Sequence, residues 1–166
     1  MVKDNSISGP KKNLYTVTVL GDADAGEIMT IQRAAYVTEA QAHHDLDLPP
    51  LMQSLAELRA ELSDPNIAAL GVREEARLVG AVRLRRVGSV VELGRLTVVP
   101  DQQGKGVGSF LLGEAEAAFP EAKEMQLFTG EYSTANIRLY KRSGYVETGR
   151  TPVGDYAIVH FAKTLS

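Results

Sequence analysis

Three glycines at every second position, Gly104, Gly106 and Gly108, stand where a strand-like apolar run gives way to a helix-like one. The stretch reads VVPDQQGKGVGSFLL, residues 98–112. The start of a helix offers unpaired N–H groups and the positive end of the helix dipole, and glycines let a backbone approach a phosphate closely. We therefore interpret the loop as a phosphate cradle, the alternative being that the glycines only permit a tight turn.

Two common phosphate-binding loops do not fit this spacing. A P-loop requires G-x-x-x-x-G-K-[ST], which the chain lacks. A dinucleotide fingerprint requires G-x-G-x-x-G/A in the first strand–helix turn of its domain; Gly104 and Gly106 fit its first two positions, but Ser109 occupies the third. About 100 residues of other structure also precede the loop. A nicotinamide-dinucleotide module is thus a distant alternative.

The length of 166 residues suits one domain, with a loose tail over residues 1–13 and the domain over residues 14–166. Hydrophobic periodicity predicts a strand, two helices, three strands, a helix, a strand, a helix and final strands. The fold class is therefore α/β with a mixed sheet. Local signals include a capping box at Asp24 and Glu27, a second helix over Leu51–Leu62, and a helix with Ser133 as N-cap and Gly144 as a left-handed C-cap.

Gln103, Gly106 and Gly108 have the spacing Q/R-x-x-G-x-G/A, between the segments ELGRLTVVPD and STANIRLYKRSGY. That spacing is the acyl-CoA motif of the GNAT (N-acetyltransferase) superfamily, which the chain resembles over Val90–Tyr145. ELGRLTVVPD looks like the family's fourth strand, and STANIRLYKRSGY looks like its second cofactor motif. The resemblance implies a single-domain fold whose sheet is splayed between the fourth and fifth strands, with about four flanking helices. It also implies direct acetyl transfer from acetyl-CoA to a primary amine of a small molecule or peptide.

The same resemblance assigns the cofactor residues. The pantetheine arm would pair with the fourth strand, the pyrophosphate would lie on the N–H groups of residues 103–109, and the amide of Asn136 and the hydroxyl of Tyr140 would meet the pantetheine and the sulfur. Tyr140 is then the general acid, and the N–H of Leu96 polarises the carbonyl. The implied cofactor-binding residues are Leu96, Thr97, Val98, Gln103, Gly104, Lys105, Gly106, Val107, Gly108, Ser109, Asn136 and Tyr140.

Glu92 is the candidate general base, because a carboxylate inside an apolar strand is expected to be partly desolvated. Ten residues separate it from Gln103, a spacing similar to that of the base in the family's histone-modifying branch. The alternative is an ion pair with Arg83 or Arg85 on the adjacent strand. Gly94, in the interior of the same strand, is expected to mark a bulge that shifts the alternation.

Several other residues are secondary candidates. Lys105, Arg138 and Arg142 are candidates for contacts with CoA phosphates, and Tyr36, His43 and His44 for lining the acceptor pocket. The adjacent histidines of HHDLD, residues 43–47, do not suggest a metal site, so no metal is expected. His160 is interpreted as a core or edge residue of the last strand.

Composition narrows the class of protein. A net charge of −3 disfavours nucleic-acid binding, and the absence of cysteine excludes a cysteine nucleophile. No apolar run approaches the ~20 residues of a membrane span, so we expect a cytoplasmic protein without membrane partners. The last strand, DYAIVHFAKTL, is apolar on both faces, which favours a homodimer if it is an edge strand. The main functional alternative is an acyl-CoA-binding sensor without catalysis.

Overall fold

Runs of β-branched and other apolar residues form seven strands that pair in one sheet in the computed structural model, which describes residues 15–166. The order is β1-β2-β3-β4-β5-β7-β6, and all neighbours are antiparallel except β4 and β5, which are parallel. The strands are β1 (Tyr15–Leu20), β2 (Ile67–Glu74), β3 (Arg77–Val87), β4 (Val90–Val98), β5 (Glu124–Gly130), β6 (Val146–Val153) and β7 (Tyr156–Thr164). The sheet is mixed, as predicted. The expected tail lies outside the described residues.

Helices cover both faces of the sheet. Over residues 15–166 the α-helices are α1 (Ala25–His43), α2 (Pro49–Met52), α3 (Leu55–Leu62), α4 (Val107–Ala117) and α5 (Thr134–Arg142). On β3, a Cβ at Gly80 would contact Val107 of α4, whereas Arg83, three residues later, bonds Gln32 of α1. Residues three apart on a strand point to opposite faces, so α1 and α4 lie on opposite sides. No helix in this part of the chain is long and apolar enough to cross a membrane.

The start of α1 differs from the predicted capping box. The Asp24 carboxylate accepts a hydrogen bond from the N–H of Gly21 (2.8 Å) and pairs with Arg73 (3.0 Å). The Glu27 carboxylate accepts from the N–H of Leu78 (3.1 Å) and also pairs with Arg73 (3.0 Å). The prediction was wrong because the β2–β3 hairpin, which is distant in sequence, binds these side chains. Arg73 pairs with both carboxylates, and the N–H of Leu78 donates to Glu27.

The predicted helix over Leu51–Leu62 is two helices. Gln53 is extended, which ends α2 at Met52, and Ser54 starts α3. The Ser54 hydroxyl accepts from the N–H of Glu57 (3.1 Å), and the Glu57 carboxylate accepts from the N–H of Ser54 (2.8 Å). This Ser-x-x-Glu capping box is a local signal that leucine spacing alone did not reveal.

Strand β4 contains the expected bulge. Gly94 pairs with Arg83 and Thr97 with Ala81, so β4 has one more residue than β3 between these pairs. Arg95 adopts a left-handed backbone, with φ of 54°. A bulge increases the local twist and bends its strand. Beyond this point β4 still pairs with β3 but turns away from β5.

The splay between β4 and β5 follows directly. Their parallel ladder pairs residues 90–92 with 124–126 and then stops. From Leu93 onward, no strand within residues 15–166 pairs with the β5-facing edge of β4. The opening between the two strands is the feature that positions the site.

The final strand is not at an edge. β7 pairs with β5 on one side and with β6 on the other, so the edge strands of the sheet are β1 and β6. The expectation that β7 recruits a second copy was therefore wrong in its premise. The backbone of β7 is paired on both sides, and its apolar residues Val159 and Phe161 are buried in the core.

Candidate functional site

The glycine loop connects β4 to α4 through a short 3₁₀ turn at Pro100–Gln102. Gly104 and Gly106 have φ of 78° and 90°, values that favour glycine, and Gly106 is the N-cap of α4. A Cβ at either would meet nothing within 4 Å, whereas one at Gly108 would lie 3.3 Å from Leu139 of α5. The first two glycines therefore set the turn, and the third allows α4 and α5 to approach each other.

A cavity of about 370 Å³ lies beside this loop, between the free edge of β4, α1 and α5. We call it the loop cavity. Most of the cofactor residues implied by the sequence line it, namely Leu96, Val98, Gln103, Gly104, Gly106, Val107, Gly108, Ser109 and Asn136. Arg138 and Arg142 line it as well, whereas Thr97 and Lys105 do not. Thr97 is buried and donates its hydroxyl to the carbonyl of Arg95 (3.0 Å).

A second cavity of about 300 Å³ extends from the first into the opening between β4 and β5. We call it the inner cavity. Its polar lining includes Tyr36, Glu39, His43, Asp45, Asp47, Arg95, Tyr140 and Tyr156. The two cavities share Tyr36, Glu39, Leu96 and Asn136, so they meet at these four residues.

Tyr140 lies in the wall of the inner cavity and is only 3% exposed. Its ring packs edge-on against Tyr145 (6.1 Å) and obliquely against Phe161 (5.9 Å). Burial, followed by the neighbouring Tyr36 and Glu39, raises the pKa of its phenol well above the usual value. The phenol is therefore protonated at neutral pH, and its hydroxyl bonds no other residue among those described.

Tyr36 is a second phenol at the junction of the cavities. Burial raises its pKa to about 12, while the nearby Arg95 acts in the opposite direction. The sequence placed Tyr36 in an acceptor pocket, and the structure places it between both cavities. It can therefore contact a ligand in either cavity.

Glu39 is a junction residue that the sequence analysis missed. Its carboxylate accepts a short hydrogen bond from the Ser133 hydroxyl and a longer one, of 3.5 Å, from the Asn136 amide. Ser133 does precede α5 as predicted, but its side chain bonds Glu39 instead of capping the helix. The available signal was the spacing of Tyr36 and Glu39, which puts them on one face of α1.

His43 forms part of the inner cavity wall, and its two hydrogen bonds show which ring nitrogen is the donor. Nδ1 donates to the carbonyl of Glu39 (2.8 Å), and Nε2 accepts from the N–H of Tyr132 (3.1 Å). Each partner can take only one role, so only Nδ1 carries a proton. His44, in contrast, ends α1 with a φ of 51° and lines a different surface cavity.

Asp45 and Asp47 complete the acidic side of the inner cavity. The Asp45 carboxylate accepts from the Tyr156 hydroxyl (2.6 Å) and from the N–H of Asp47 (2.9 Å), and these bonds lower its pKa. The same bond raises the pKa of Tyr156 to about 12. The inner cavity thus carries fixed negative charge near the end of α1.

Glu92 occupies a different environment from the one predicted. It is exposed, so the expected desolvation was wrong. It lines a neighbouring cavity of about 540 Å³ that meets the inner cavity at Leu93, Gly94, Arg95 and Phe128. Arg85 stands opposite Glu92 in the ladder but pairs with Asp64 (3.6 Å), while Arg83 pairs with Glu61 (3.1 Å).

The third histidine, His160, lies outside the two joined cavities. His160 lines the neighbouring cavity, where Nε2 lies 2.8 Å from the Thr151 hydroxyl. Within residues 15–166, no group of three or more His, Cys, Asp or Glu side chains is arranged to hold a metal ion.

Known proteins resemble this chain in sequence and in fold. The profile of the family described as "Acetyltransferase (GNAT) family" matches residues 27–145. An IAA acetyltransferase from Azospirillum brasilense is 32% identical over 121 residues, which cover 70% of this chain and 71% of that protein. The UPF0157 protein YqkA from Bacillus subtilis is 27% identical over 121 residues, 73% of this chain, but the chain spans only 34% of that relative.

A solved structure extends the likeness to the fold. The PaiA N-acetyltransferase from Thermoplasma acidophilum, crystallised in complex with coenzyme A, superposes with a TM-score of 0.79 at 20% identity, covering 91% of this chain and 99% of that one. This likeness confirms the predicted fold class, with the difference that five α-helices, not about four, are found over residues 15–166.

Gly130 of β5 lies so close to the His43 ring that a side chain at this position would collide with it. A Cβ at Gly130 would lie 2.2 Å from Nε2 of His43, so Gly130→Ala must displace the ring and break its bond to Tyr132. We expect a loss of about 1–3 kcal/mol in the free energy of unfolding, measured in urea. The control is Gly149→Ala on β6, where a Cβ meets nothing within 4 Å. Equal stability of the two variants would contradict the packing of His43 described above.

Proposed function

The chain belongs to the acetyltransferase (GNAT) family, and from this premise we propose that it transfers an acetyl group from acetyl-CoA directly to a primary amine. Tyr140 acts as general acid and Glu92 as general base. The observation that carries the proposal is that the loop cavity and the inner cavity meet at residues that include Asn136, one helical turn before Tyr140 in the wall of the inner cavity. One cavity then holds the cofactor, the other holds the acceptor amine, and the acetyl group lies at their junction.

The loop cavity suits the phosphates and the pantetheine arm of CoA. The N-terminus of α4 presents backbone N–H groups and a positive dipole end to a diphosphate, and Arg138 and Arg142 add positive charge. Among the described residues no strand pairs with the β5-facing edge of β4 from Leu96 to Val98, so an extended pantetheine arm can pair with it. The Thermoplasma PaiA enzyme was solved with coenzyme A, which supports the same use here.

Acyl transfer to an amine makes three demands on these residues. An amine with a pKa of ~10.4 is about three units from neutrality at pH 7, so its deprotonation costs roughly 4 kcal/mol. The carbonyl oxygen gains negative charge as the amine attacks, and we assign its stabilisation to the N–H of Leu96 at the junction. The departing thiolate needs a proton, which Tyr140 supplies because its buried phenol is protonated at neutral pH.

The base must take a proton from the ammonium group of the acceptor, so that the neutral amine can attack the thioester carbonyl. Glu92 lines the neighbouring cavity, so a water at the shared residues Leu93–Arg95 must carry the proton to it. Glu39 competes for this role, because it lies at the junction itself. Its carboxylate already accepts bonds from Ser133 and Asn136, which suits a positioning group better than a proton acceptor. We therefore retain Glu92 as the base and test both carboxylates.

The alternative function is acyl-CoA binding without chemistry. A sensor needs only the loop cavity, whereas this chain also has an acidic inner cavity with a buried phenol in its wall. That second cavity favours an enzyme.

Tyr140→Phe tests the acid. The hydroxyl matters only as the sulfur departs, so kcat should fall by about 10²-fold while the affinity for acetyl-CoA stays within about threefold. The control is Tyr145→Phe, which removes the hydroxyl of a neighbouring buried tyrosine that bonds Glu116 and lines neither joined cavity. If kcat falls equally in both variants, the phenol of Tyr140 has only a packing role.

Glu92→Gln tests the base through a pH–rate series with one working amine. The variant should be slower by about 10²–10⁴-fold at pH ~7, and the deficit should shrink as the pH approaches the amine's own pKa, where neutral amine needs no base. Glu39→Gln, measured in parallel, should instead give a loss that does not vary with pH. A pH-independent loss in Glu92→Gln removes the assignment, and a pH-dependent loss in Glu39→Gln transfers it to Glu39.

A further inference from the structure

Arg95 is a cation in the inner cavity that has no acidic partner within residues 15–166. No carboxylate oxygen among residues 15–166 lies within 4.0 Å of its guanidinium, and its buried Nε makes no hydrogen bond. The buried Nε of the nearby Arg83 also makes no hydrogen bond, but it lies 3.1 Å from the Glu61 carboxylate, and the same guanidinium donates to Gln32 (2.7 Å). Buried or half-buried arginines in proteins are normally paired in this way.

The backbone at Arg95 is also unusual. It is the residue with φ of 54° in the β4 bulge, a conformation that is uncommon for a residue with a side chain. Strained residues of this kind concentrate at ligand sites, because the surrounding structure holds them there for their direction. The bulge that holds this backbone also places Arg95 in the wall of the inner cavity, where the missing partner of its guanidinium points to a ligand.

The position of Arg95 indicates what that ligand is part of. It lies where the inner cavity meets the neighbouring cavity of Glu92 and does not line the loop cavity, so it does not face the region assigned to the CoA phosphates. The next residue, Leu96, lies at the junction where the acetyl group would be delivered. An anion held by Arg95 therefore belongs to the acceptor, a short distance from its reacting amine.

The inner cavity as a whole is bipolar. Glu39, Asp45 and Asp47 give one part a negative charge that suits an ammonium group, and Arg95 gives another part a positive charge. A simple diamine would leave the guanidinium unpaired, whereas an acceptor with both charges satisfies both parts. The planar guanidinium fork matches a carboxylate with two parallel hydrogen bonds.

We infer that the acceptor is a small amine that carries a carboxylate next to it, of the α-amino acid class, and that Arg95 binds this carboxylate. The inference rests on the proposed acetyltransferase function. A cavity of about 300 Å³ is at the small end of ligand pockets and suits a molecule of this size. Arg95 is thereby a specificity-determining residue.

The test compares each of the common amino acids, except proline and cysteine, with its α-amide, using acetyl-CoA and measuring kcat/KM by thiol release. The amide retains the side chain and the amine but lacks the carboxylate. Removing the carboxylate also makes the amine easier to deprotonate, so the chemistry by itself favours the amide. We expect the acid of at least one pair to be preferred by about tenfold or more, the size of one good charge-assisted contact.

Variants assign this preference to Arg95. Arg95→Gln should lower kcat/KM for the acid about tenfold or more and leave the amide within about threefold, while Arg95→Lys, which keeps the charge without the fork, should fall between. The control is Arg86→Gln, a surface arginine of β3 paired with Glu121 and lining neither joined cavity. Affinity for CoA, measured by calorimetry, checks that each variant is folded.

The outcomes separate the inference from the function on which it rests. Equal use of acids and amides by the unaltered protein, or a preference for acids that survives in Arg95→Gln, overturns the role of Arg95 and leaves acetyl transfer standing. Transfer to no acid and no amide by a protein that binds acetyl-CoA overturns both.

Discussion

The early end of the ladder between β4 and β5 is the constraint on which the site depends. Only three residue pairs join these parallel strands before the bulge at Arg95 turns β4 away. A continuous ladder would leave no free edge at Leu96–Val98 and no inner cavity. The glycine loop begins where this free edge ends, so the cradle and the opening belong to one structural unit.

A buried polar cluster holds the helices over this opening. The Arg83 guanidinium, 5% exposed, pairs with Glu61 (3.1 Å) and donates to Gln32 (2.7 Å) and Gln53 (3.2 Å). Gln32 also donates to the carbonyl of Pro50 (2.9 Å), which lines the inner cavity. Arg83 is on β3, where it pairs with Gly94 of β4. The cluster therefore connects α1, α2 and α3 to the sheet next to the bulge of β4. Breaking a buried pair of this kind leaves an uncompensated charge, so the helices have one favoured position.

Features that depend on neighbouring residues were predictable from the sequence. The glycine loop, the bulge near Gly94 and the helix before Gly144 all follow from local spacing, and the structure has each of them. Glu39 was missed because its partner Ser133 is 94 positions away. The burial of Glu92 was misjudged because alternation indicates a face of the strand but does not show what covers it. The edge position of β7 was misjudged because strand order is a long-range property.

The central claim is that the free edge of β4 and the glycine loop together bind CoA. Hydrogen–deuterium exchange of the whole protein, with and without CoA, tests it most directly, because exchange reports on individual stretches of backbone N–H groups. The account predicts that CoA slows exchange at residues 96–98 and 103–109, and that NAD at the same concentration does not. Slowed exchange confined to the neighbouring cavity around Glu92 and Gln126, or unchanged exchange in the glycine loop of a CoA-saturated protein, would contradict it.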